Sequence, residues 1–141
     1  MKNIYEILDE IEEASSKKDK INVIGKNLNP TLVKVFEYAY HPQYEWLIKE
    51  IPDNYKIPTD MMPGITLSQL SSELRKFYMF RKGDPTAENL TPQKRNELLL
   101  QMLESLEPRE AEVVIGVFNK DLGVKGLNYK LIKEAFPNLL P

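Results

Sequence analysis

The stretch Phe118-Asn-Lys-Asp-Leu-Gly-Val-Lys-Gly-Leu-Asn-Tyr-Lys-Leu-Ile-Lys-Glu-Ala-Phe-Pro-Asn-Leu-Leu-Pro141 decides how this chain reads. It predicts the end of one helix, a tight loop, a short helix over roughly Asn128–Ala135 and a proline-closed exit. Gly123 and Gly126 bracket Lys125, and Asn128 stands where a helix N-cap belongs. Glycine lets a backbone approach another surface closely. A helix start leaves N–H groups unpaired and favours an anion. Lys120, Lys125, Lys130 and Lys133 add positive charge to the same segment. Together these are the parts of a surface that grips phosphates without reading bases.

Working back from this segment, apolar residues recur at helical spacing almost throughout. Pro108 opens a helix with Val113, Val114, Val117 and Phe118 inward, and Ala111 and Gly116 offer close helix contact. Thr91-Pro92 opens another, with Leu99, Met102, Leu103 and Leu106 inward. Asp84 to Leu90 reads as a loop or a turn of helix. Thr66 and Gln69 form a capping box for a long helix. Its inner stripe is Leu67, Leu70, Leu74, Phe77 and Tyr78, and it runs into Arg81-Lys82-Gly83. Residues 41–63 are less regular: a short helix around Tyr44, Trp46, Leu47 and Ile48, then a connection holding Pro52, Pro58 and Pro63. Asn29-Pro30 starts a helix lined by Leu32, Val35, Phe36 and Ala39 and stopped by Pro42. Ile21 and Ile24 mark a short helix ending near Gly25, and Ile4, Ile7, Leu8 and Ile11 mark the first, capped by Asn3. No segment alternates in the manner of a strand. The expectation is one all-α domain over residues 1–141, a compact bundle of about seven short helices.

Composition narrows the function. The chain has 141 residues, 42% of them hydrophobic, which suits one core rather than a disordered tail. It has no cysteine and one histidine, so disulfides, thiolate metal sites and multi-histidine centres are excluded. No apolar run is long enough to span a bilayer, and the N-terminus does not read as a signal peptide, so a cytoplasmic protein is expected. The net charge of −2 does not mark a nucleic-acid binder. Its distribution is uneven: Glu6, Asp9, Glu10, Glu12 and Glu13 crowd the first helix, and the basic residues collect at the end and at Arg75, Lys76, Arg81 and Lys82.

Catalytic patterns are missing. There is no Gly-x-Ser-x-Gly, no Walker-type loop and no His-Glu-x-x-His. The carboxylates of the first helix read as a solvated face around the buried Ile11. His41 reads as a helix-end residue, Tyr44 and Trp46 as packing, and Asp121 as a loop holder. Arg81 and Lys82 sit at a helix end, where cations also suit the helix dipole.

At Asn119-Lys120-Asp121-Leu122, the glycine loop, and Ile132-Lys133-Glu134-Ala135-Phe136-Pro137-Asn138-Leu139-Leu140-Pro141, the chain resembles the N-terminal DNA-binding domain of ATP-dependent DNA ligases of T-even-type bacteriophages. Looser matches are the Leu67–Phe80 helix with Arg81-Lys82, Thr86–Leu90, Leu32–Tyr40, Tyr44–Ile48 with Lys49-Glu50-Ile51-Pro52, and Ile4–Ile11. The family spaces its loop glycine closer to Asp-Leu; here Gly123 comes early and Gly126 late, as if one residue were inserted. The resemblance implies a helical domain holding duplex DNA around a nick, across the minor groove and phosphate backbone, in replication or repair. Arg81, Lys82, Lys120, Lys125, Gly126, Asn128, Lys130 and Lys133 are the expected contacts. The Lys-x-Asp-Gly motif whose lysine accepts AMP is absent from this sequence. The chain alone is therefore expected to be non-catalytic and to act as a monomer, as a ligase domain or a free-standing relative of one. ATP and Mg would belong to a separate nucleotidyltransferase domain. The alternative is a helical protein-interaction module that docks to a replication protein such as a sliding clamp.

Overall fold

The computed structural model describes residues 2–48, 50–51 and 68–141. Among them the chain forms eight α-helices and one 3-10 segment: α1 (Ile4–Glu13), α2 (Lys17–Lys26), α3 (Pro30–Tyr40), α4 (Leu70–Glu73), the 3-10 segment (Leu74–Phe80), α5 (Pro85–Asn89), α6 (Pro92–Ser105), α7 (Pro108–Phe118) and α8 (Tyr129–Ala135). The all-α class expected from periodicity holds. Pairing outside helices is limited, among the described residues, to one isolated bridge between Trp46 and Arg81.

The chain divides into two compact units. One comprises Met1–Gln43 with Ile115–Pro141, the other Tyr44–Val114. In the first, the stripes of α1 and α3 are buried as their spacing requires, together with Ile24, Val117, Phe118, Leu127, Leu131, Ile132 and Leu140. The ring of Phe36 meets that of Phe136 at 6.2 Å. Helix α2 packs against both α1 and α8. It begins at Lys17, four residues before the first apolar position that marked it, because the Ser16 side chain accepts from the Asp19 N–H and caps it there.

Two expectations fail in the second unit. The first is the long α-helix into Arg81. Thr66 and Leu67 lie outside the described residues. From Leu70 only one α-turn forms before the chain tightens into the 3-10 segment. Three residues per turn place Leu74, Phe77 and Phe80 on one face, and all three are buried. The same tightening turns Tyr78 outward, leaving it 48% exposed, where an α-helical stripe would have buried it. The second failure is the short helix around Trp46. This stretch is extended: Leu47 N–H donates to the Phe80 carbonyl and Lys82 N–H to the Glu45 carbonyl. Residues two apart in extended chain share a face, so Tyr44 and Trp46 stack at 6.0 Å and Trp46 meets the edge of Phe77 at 5.8 Å. The packing role expected of the two aromatics is what is seen.

Candidate nucleic-acid interface

The closing segment is built much as its residues suggest. Lys120, Gly123 and Gly126 take positive φ, 59°, 71° and 82°, and carry the chain from α7 into α8. Asp121 holds the loop by accepting the Gly123 N–H at 2.9 Å. The α7 glycine, Gly116, is approached by this loop rather than by a helix: a Cβ there would lie 3.0 Å from Leu122 Cα. Tyr40 closes the loop from α3, its hydroxyl accepting the Leu122 N–H at 3.2 Å. Burial is the main cause that pushes the Tyr40 phenol above its ordinary range. Asn128 caps α8, its side chain accepting the Leu131 N–H at 2.9 Å.

The lysines divide into two groups. Lys120 is turned into the protein, donating to the carbonyls of Tyr38 at 3.1 Å and His41 at 2.8 Å, where it satisfies the end of α3. Lys133 donates to the carbonyls of Leu140 at 2.7 Å and Pro137 at 3.3 Å and ties down the exit. Both ammonium groups are engaged in holding the fold. Lys125 and Lys130 are exposed, and their ammonium groups make no ion pair among the described residues. The backbone of Lys125 is fixed, its N–H donating to Glu12 at 3.1 Å.

Around Gly126 lies a cleft of about 250 Å³ lined by Lys17, Lys20, Gly126, Asn128, Lys130 and Leu131. Three lysines, two on α2 and one on α8, thus line one depression. Lys17 pairs with Glu134 in an exposed ion pair. Lys20 donates to the carbonyls of Ile11 and Ala14, each at 2.8 Å, and of Glu12 at 3.3 Å, and so closes the end of α1. The Gly126 backbone passes so close to this side chain that a Cβ would sit 2.7 Å from Lys20 Cε. The close approach that glycine permits here is therefore to Lys20. Sequence reasoning missed Lys17 and Lys20, although the run Lys17-Lys18-Asp19-Lys20 behind Ser16 carried both a cap and the charge.

Arg81 and Lys82 belong to the other unit. The Arg81 guanidinium lies 4.4 Å above the Tyr44 ring, and Lys82 pairs with Glu45 at 3.2 Å. By sequence the Arg81 unit holds nine Lys and Arg against twelve Asp and Glu, a net of −3; the unit with the cleft holds ten against nine, a net of +1. Much of the acidic face of α1 is already engaged: Glu10 takes Lys2 and Asn27, and the hydrogen bond from Lys2 holds its carboxyl below the ordinary range. Among the described residues no three His, Asp or Glu side chains gather closely enough to hold a metal ion. No helix among them is long and apolar enough to cross a membrane.

A family model described as "Family of unknown function (DUF6433)" matches residues 7–124. The match covers well over half of the chain, and the protein belongs to that family. It includes Lys17 and Lys20 and stops just before Lys125, Gly126, Asn128 and Lys130. No curated protein sequence matches the chain.

Proposed function

We propose that the protein holds the phosphate backbone of duplex DNA, without base specificity, on the lysine-bordered cleft between α2 and α8. The observation that carries this reading is that Lys17, Lys20 and Lys130 line one depression, with Lys130 and the exposed Lys125 next to Gly126 in no ion pair among the described residues. Exposed ammonium groups on a fixed framework attract phosphates and release their counterions, and they carry no sequence information. Lys20 and Gly126 shape the cleft; Lys125 and Lys130 supply the contacts, and Lys17 joins them when phosphate displaces Glu134. Lys120 and Lys133 act on the fold, and Arg81 with Lys82 forms at most a second, weaker strip. The resemblance to the ligase DNA-binding domain directs this binding towards nicks, in support of a joining reaction carried out elsewhere.

The test is a Lys125→Glu/Lys130→Glu double variant, assayed with the parent for binding to a labelled duplex. Its binding should fall by well over tenfold, and the salt slope should flatten by about two contacts. Parent-like affinity in a folded double variant would place the interface elsewhere.

A further inference from the structure

The three lysines of the cleft differ in what their ammonium groups already hold. Lys20 is committed to the carbonyls at the end of α1. Lys130 makes no ion pair among the described residues. Lys17 is taken by Glu134, in an ion pair that joins α2 to α8. Glu134 stands four residues after Lys130, the spacing that puts both on one face of α8. Its carboxylate therefore neutralises one of the cleft's cations beside the one that is left free. A second carboxylate touches this region, but it serves the backbone: Glu12 accepts the Lys125 N–H at 3.1 Å. Glu134 holds only the Lys17 side chain, and the two side chains are 43% and 53% exposed. An exposed pair of this kind is weak and exchanges readily for another anion.

We propose that Glu134 is a built-in competitor of the ligand: its carboxylate occupies Lys17 in the free protein and lowers the affinity of the cleft for DNA phosphate. Binding then replaces one anion on Lys17 by another, and the gain from that lysine is only the difference between them. The displaced carboxylate also stays close to the bound phosphates, repels them and keeps a cation at the interface. Lys130, which has no such rival, contributes in full. A residue that faces the DNA site thus acts against binding. This inference rests on the proposed reading of the cleft.

The test compares Glu134→Gln with the parent for binding to a fluorescein-labelled duplex, followed by anisotropy. The variant should bind about three- to fivefold more tightly. Its log affinity should fall more steeply with log salt, because no carboxylate retains a cation. Glu97→Gln is the control: it makes the same charge change in the other unit, where Glu97 pairs with Lys94, and should bind as the parent does. In a Lys17→Ala background, Glu134→Gln should gain at most about twofold, from long-range repulsion that salt screens. A parent that binds, with Glu134→Gln no tighter, would overturn this inference and leave the DNA reading standing. An equal gain from Glu97→Gln, or an undiminished gain without Lys17, would also overturn it. A parent that does not bind at low salt would remove the DNA reading and this inference with it.

Discussion

Gly126→Ala is the sharpest probe of how the cleft is built. Two penalties are expected. Alanine at a φ of 82° is strained by about 1 kcal/mol. Its Cβ would also meet Lys20 Cε at 2.7 Å and push aside a side chain anchored to three carbonyls. Lys20 is only half-buried, so losing those bonds is worth about 1–2 kcal/mol rather than the full value of three charged hydrogen bonds. The single variant should therefore lose about 2–3 kcal/mol. In a Lys20→Ala background the obstacle is gone, and the same glycine change should cost only about 1 kcal/mol. The difference, about 1–2 kcal/mol, is a coupling energy read from a double-mutant cycle by urea denaturation. Effects that add to within about 0.5 kcal/mol would refute the claim that Gly126 is a glycine for the sake of Lys20.

Other outcomes follow from the same geometry. Asn128→Ala should cost about 1 kcal/mol by removing the α8 cap, measured in the same denaturation assay, and Asn128→Asp should recover most of it. Tyr40 has a raised folded-state pKa, so its contribution to stability is complete below the unfolded value of 10.0. It is lost as pH rises through the folded value; a Tyr40→Phe variant, compared with the parent in urea across the alkaline range, should show a shallower decline. Glu10 has a lowered folded-state pKa, so its contribution is present above the ordinary value and fades as pH falls through the lowered one. Lys2→Ala should move the Glu10 titration, followed by carboxyl NMR shifts, back upward.

Most of the fold was legible because caps and apolar spacing agreed. Asn29-Pro30, Thr91-Pro92 and Asn128 each cap the helix that their position suggests. The three-residue period of Leu74, Phe77 and Phe80 is present in the sequence, but α-helical spacing places Tyr78 rather than Phe80 on the inner face. The extended stretch at Trp46 was illegible locally, because its backbone bonds, Leu47 N–H to the Phe80 carbonyl and Lys82 N–H to the Glu45 carbonyl, join it to residues far along the chain. The site was half legible. Charge and glycine content identified the segment, but spacing cannot tell a lysine that faces solvent from one that closes a helix. Lys120 and Lys133 do the latter, and only the geometry of the carbonyl ends of α3 and the exit reveals it.

The most direct measurement is the affinity of the whole chain for intact and nicked duplex, taken at several salt concentrations. Phosphate contacts predict that log affinity falls linearly with log salt, by about 0.9 per contact, for A·T-rich and G·C-rich duplexes alike. The nicked duplex should bind at least as tightly as the intact one. Absence of binding at low salt, or binding that ignores salt, would contradict the account.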